Sequence, residues 1–134
     1  SAAAESGTTD MQAITRAIAE SSAYKIYVCN VMTQQGETQD YTACEHLAAL
    51  VEHSHKNIMN ACIVNTAEVP LEAQGRYKAE DSIPVSADEE NIRALGYEVV
   101  GTDLLSVADY VRHDSAKLTK ALIRLIESHR VIRR

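Results

Sequence analysis

The sequence predicts an α/β layered sandwich built on a largely parallel sheet. Three observations carry that expectation. Strand-length apolar runs alternate with helical repeats along the 134 residues, those runs are nearly continuous rather than alternating, and helix-start signals fall between them. Right-handed crossovers are expected between the strands.

Taken in order, Ile14, Ala17 and Ile18 recur at helical spacing behind Thr9 and Asp10, either of which can cap a first turn, so residues 10–21 read as a helix. Residues 25–32 form a β-branched apolar run, the pattern of a central strand covered on both faces. Thr42 and Glu45 have capping-box spacing, which starts a helix running to about His55 and burying Cys44, Leu47, Leu50 and Val51. Residues 61–65 are the next buried strand. Pro70 suits the first turn of a helix reaching about Glu80. Residues 83–86 read as an edge strand, because Pro84 has no ladder donor. Ser86 and Glu89 suggest a second capping box, and Gly96 a left-handed helix end. Residues 97–102 read as strand. Residues 115–129 form a closing amphipathic helix with Leu118, Leu122, Ile123 and Ile126 inward. Residues 1–9 are read as a flexible start, processed or cut since Ser1 stands where Met would, and 10–134 as one domain.

Composition narrows the function classes. The net charge of −6 argues against a nucleic-acid partner, which needs clustered Lys and Arg. The basic tail His129, Arg130, Arg133 and Arg134 reads as cations complementing a helix C-terminus. No stretch approaches the ~20 apolar residues of a membrane span, and no signal-peptide pattern is present. Three cysteines without a CxxC pair suit a reducing compartment, so the cytoplasm is expected.

In parallel sheets, ligands sit outside the carboxyl ends of the strands, which singles out loops 33–41, 65–70 and 103–114. The first is long and almost wholly polar; its amides and hydroxyls suit a sugar, ribose or uracil better than a bare phosphate. Arg112 can clamp a phosphate or carboxylate with paired donors, although an Arg-His-Asp run also reads as a solvated helix start. His46, His53 and His55 with Cys44 lack the adjacent-turn spacing of helical metal pairs and read as surface histidines. Glu45 and Glu52 are expected to face solvent. Cys29 reads as a buried small hydrophobe, and no catalytic group, nucleophile or metal ligand is assigned.

The first loop also carries a resemblance. Asn30-Val-Met-Thr-Gln34, Gly36-Glu-Thr38, Tyr41-Thr-Ala43 and His46 resemble the NVMTQ-x-GET-x-x-YTA-x-x-H signature of the CofD-like family, on its YvcK-type, gluconeogenesis-factor branch. Further matches are Arg76-Tyr77, Ile83-Pro-Val85, Ala94-Leu-Gly96, Asp103-Leu-Leu105 and Val111-Arg-His-Asp114, so the resemblance spans about residues 13–120. It implies a Rossmann-like part of a larger CofD-like fold, related to 2-phospho-lactate transferase. It also implies binding of a UDP-sugar or an NAD-like dinucleotide, and a role in central carbon metabolism and cell shape. Carried onto matching positions, it implies ligand-binding roles for Asn30, Thr33, Gln34, Glu37, Thr38, Tyr41, Tyr77, Arg112 and His113. The chain reads GETQDYTA where the family reads GETDGYTA, so Asp40 is not carried over. The family's glycine-rich loop and its GPGS-type phosphate loop would precede this region, and the sequence contains neither, so an N-terminal half is the expected partner. A regulatory nucleotide-sugar binder is the first expectation. A transferase of the 2-phospho-lactate type is the alternative, and a structural segment making homo-oligomer contacts is the third.

Overall fold

A computed structural model of the chain describes residues 12–33, 41–106, 110 and 112–133. The expected flexible start, together with Gln34, Glu37 and Thr38, lies outside the described residues. Residues 12–20 are helical (α1). The Lys25 ammonium meets the carbonyls of Ile18, Ala19 and Ser21 at 3.2–3.3 Å and of Asn57 at 2.6 Å. A cation there satisfies last-turn carbonyls and complements the helix dipole. Ile14 and Ile18, whose spacing predicted the helix, stay exposed.

Three parallel strands follow: β1 (Ile26–Val28), β2 (Ala61–Asn65) and β3 (Glu98–Thr102), in the order β1-β2-β3. The run at 25–32 was expected to be the central strand; instead β1 lies at the edge of this sheet and β2 at its centre. The run also changes partner midway. Cys29 makes the last bond towards β2, from its N–H to the Ile63 carbonyl (2.9 Å). Beyond it, Met32 pairs antiparallel with Pro84, flanked by Thr33 N–H to Ile83 O and Val85 N–H to Val31 O, both 2.8 Å. Pro84 therefore sits where no N–H is required of it, which is why a proline is tolerated there. Cys29, Val31 and Met32 are buried while Asn30 between them is exposed, so the apolar run records two short paired segments rather than one continuous strand.

Side chains alternate along β2 with period two. Ala61 and Ile63 pack with Leu104, Ala121 and Leu125 on one face, while Cys62 and Val64 pack with Leu47 and Ile92 on the other. The second face is covered by α2 (Ala43–His53) and α4 (Glu89–Ala94), and the first by α5 (Ser115–Arg133) with Ala73 of α3 (Leu71–Lys78). This is the layered α/β sandwich the sequence predicts.

The capping box of α2 forms as expected: Glu45 N–H donates to Thr42 Oγ1 and Thr42 N–H to Glu45 Oε1, each 3.2 Å. Leu47 is fully buried, whereas Cys44, Leu50 and Val51 are half-buried. The second capping box does not form. Asp88, not Ser86, precedes α4, and its carboxylate accepts instead from the Cys44 amide at 2.8 Å, capping α2 from another element. Gly96 ends α4 at φ 96, as expected. In α5 the inward stripe is Leu118, Ala121, Leu122 and Leu125; Ile123 and Ile126, expected inward, are exposed on its flanks. No helix among the described residues is long and apolar enough to cross a membrane.

Candidate functional site at the carboxyl rim of the sheet

The described parts of the three loops singled out by the sequence, residues 33, 41, 65–70, 103–106, 110 and 112–114, include several that bond at the carboxyl ends of β1 and β2. After β3 the chain crosses the carboxyl ends of its neighbours. Leu104 N–H donates to Asn65 Oδ1 at the end of β2 (3.0 Å), and His113 Nε2 donates to the Cys29 carbonyl at the end of β1 (3.0 Å). The Asn65 side chain also bridges the Ala67 amide and carbonyl, so one residue shapes two loops. The crossing is closed at its base: Leu105 and His113 pair antiparallel, and Asp114 N–H donates to Leu104 O (2.9 Å). Lys117 Nζ donates to Asp103 Oδ2 (2.9 Å) and to the Leu105 carbonyl (2.8 Å). That bond from Lys117, with the Leu105 amide, holds the Asp103 carboxyl below the usual carboxylate range.

The sequence-predicted residues divide into two groups. Asn30 is exposed at the end of β1, Arg112 is exposed beside the half-buried His113, and Tyr41 is partly exposed. Thr33, by contrast, is 3% exposed and bonds within the chain. Its Oγ1 accepts from Ile83 N–H (3.0 Å) and its carbonyl accepts from Ser82 Oγ (2.7 Å). Tyr77 is half-buried against the core cluster of the α5 face, and its carbonyl accepts from Ser82 N–H (2.9 Å). Ser82 thus connects the turn carrying Tyr77 to Thr33.

His46, expected at the surface, is 8% exposed. Its Nδ1 lies 2.9 Å from the Thr42 carbonyl, which can only accept, so Nδ1 carries the proton. Nε2 is buried without a partner among the described residues. Tyr41 stacks edge-on against this ring at 5.4 Å. The amides of the first turn of α2 are already bonded, to Ser86 O, Asp88 Oδ1, Thr42 Oγ1 and Thr42 O, so that helix start holds its own carboxylate rather than a foreign anion. Burial raises the Cys29 and Cys62 thiols to about 11 and about 12, as inert buried sulfurs require. Among the described residues no three His, Cys, Asp or Glu side chains converge as metal ligands would.

Loop 65–70, singled out by the sequence, forms one wall of a cleft of ≈ 670 Å³ at the end of β2; its other walls, α3 and residues 83–87, sequence reasoning missed. Thr66, Glu68, Gln74, Gly75, Lys78 and Ser86 line it. A local signal for the α3 wall was Gly75, which lies inside α3 at a cost of roughly 0.5–1 kcal/mol against alanine. A larger depression of ≈ 920 Å³ lies between α1 and the end of α2, at the opposite end of the strands.

The family model of 2-phospho-L-lactate transferase CofD matches residues 10–105. The chain belongs to the CofD family. Curated relatives that match most of the chain carry the name gluconeogenesis factor. A Thermoanaerobacterium thermosulfurigenes protein is 44% identical over 115 residues, covering 85% of this chain and 35% of its own length. The gluconeogenesis factor of Bacillus subtilis is 36% identical over 111 residues, covering 82% of this chain and 35% of its own. A crystal structure of a UPF0052 family member from Bacillus halodurans superposes with TM-score 0.77 at 35% identity, over 82% of this chain and 36% of that one. The chain thus spans about a third of the length of the curated relatives it matches.

Proposed function

We propose that this CofD-family chain contributes the carboxyl rim of a nucleotide-sugar site in a cytoplasmic regulatory protein of central carbon metabolism and cell shape. A UDP-sugar is the favoured ligand and an NAD-like dinucleotide the second. The observation that carries the reading is the crossing loop, fastened to β1 and β2 by His113 and Leu104, which gathers Asn30, Arg112 and the cleft at β2 along one edge. Ligands of parallel sheets bind at that edge. Arg112 offers paired donors to a diphosphate, and the hydroxyls and amides of the rim suit ribose, uracil and sugar. Three free thiols fit a reducing compartment.

Calorimetric titration of the intact protein with UDP-N-acetylglucosamine, NAD and GDP tests the reading, with the UDP-sugar expected to bind tightest. Preference for GDP would favour the transferase reading, to which the family model's description lends support. Release of phosphate or nucleoside diphosphate by the purified protein would establish that second reading.

A further inference from the structure

Nothing among the described residues requires a glycine at position 75. Of the three described glycines, Gly96 holds a positive φ of 96 that side chains disfavour, and Gly101 lies under the Glu89 carboxylate and the Thr66 methyl, where a Cβ would collide. Gly75 has neither excuse: it is helical, and a Cβ built there would meet nothing within 4 Å. The open space is the cleft at the end of β2. A glycine inside a helix, against its propensity and on the wall of a cleft, lets a ligand approach the bare backbone.

The rest of the lining says what that is. Glu68 and Lys78 contribute one charge of each sign, and Thr66 and Ser86 contribute hydroxyls that both donate and accept. Such a lining fits a neutral polyhydroxylated ring better than a diphosphate. The volume, ≈ 670 Å³, falls within the ~300–1,000 Å³ of small-ligand sites. Ile83, on the cleft wall, also bonds Thr33 through both its N–H and its carbonyl, which fixes that wall to the end of the run from β1.

We propose that this cleft seats the sugar ring of the nucleotide-sugar against the backbone of α3 at Gly75, with Thr66, Glu68 and Ser86 bonding its hydroxyls. The inference rests on the nucleotide-sugar reading above. Its test separates the two by measuring UDP and UDP-N-acetylglucosamine affinity in the intact protein, wild type, Gly75→Ala and Gly75→Leu, with ligand-free melts. Wild type binds the UDP-sugar more tightly than UDP. Gly75→Leu loses at least about tenfold in UDP-sugar affinity because it overfills the seat, while UDP affinity holds. Ligand-free Gly75→Ala melts about 1–2 °C higher, since alanine restores helix propensity. An unchanged sugar preference in Gly75→Leu, or equal loss of both ligands, overturns the assignment of the cleft to the sugar. A lower ligand-free melt for Gly75→Ala also overturns it, showing that polypeptide packs on that face. A wild type that binds neither ligand removes the nucleotide-sugar reading itself, and this seat with it.

Discussion

Thr33 and Arg112 both match family positions, yet they are placed for different work. The Thr33 hydroxyl is buried and serves the Ile83 amide, so Thr33→Val strands a donor and should cost about 1–3 kcal/mol in denaturant unfolding. Arg112 is exposed at the rim. Arg112→Ala should weaken UDP-sugar binding roughly 10- to 150-fold by calorimetry, the worth of one charge-assisted bond to phosphate. Tyr77 combines both roles. Its ring packs on the core cluster, so Tyr77→Ala should lower the melting temperature as well as remove any stacking face. The thiols give a pH test. Cys29 and Cys62 titrate at about 11 and about 12 when folded, above the ordinary ~8.5 of the unfolded chain. Their contribution to stability is whole below that ordinary value and is lost as pH rises towards the folded values. Thiol reagents near pH 8 should therefore reach half-buried Cys44 first and the other two only on unfolding.

At the scale of elements, the join between α2 and α4 depends on one carboxylate. Burial opposes the charge of Asp88, but bonds from the Cys44 amide, Asn91 and Thr42 prevail and hold its carboxyl below the usual range. Asp88→Ala should destabilise by about 0.5–2 kcal/mol, the ordinary worth of a helix cap. Because the folded pKa is depressed, this stabilisation is present above the unfolded value and fades as pH falls through the folded one; urea midpoints of wild type and variant should converge in acid. Local rules made the capping box at Thr42 and the left-handed end at Gly96 legible, since each is written within a few residues. Asp88 was missed because Ser86 and Glu89 satisfy the same spacing rule, and only the tertiary approach of α2 selects the carboxylate. Ile123 and Ile126 were misplaced because apolar spacing in α5 admits two adjacent stripes, and packing on the sheet chose Leu118, Ala121, Leu122 and Leu125.

For the molecule as a whole, strand and helix alternation made the α/β class legible, but not strand order, which depends on pairing between distant segments. The apolar run at 25–32 reads equally well as a central strand or as an edge strand whose continuation is buried by residues 83–85. The rim was legible in outline from the carboxyl-end rule. The cleft was not, because its walls come from three separate segments. His46 shows the same limit: nothing local distinguishes a surface histidine from one buried with Nδ1 bonded to the Thr42 carbonyl. The central claim, that ligand meets the chain along the carboxyl rim, is tested most directly by amide NMR of the intact protein titrated with UDP-N-acetylglucosamine. The account predicts saturable shifts concentrated at residues 30–33, 66–69, 83–87, 103–106 and 112–114. Shifts confined to α1 and residues 53–57 at the opposite end of the strands, or none at all, would contradict it.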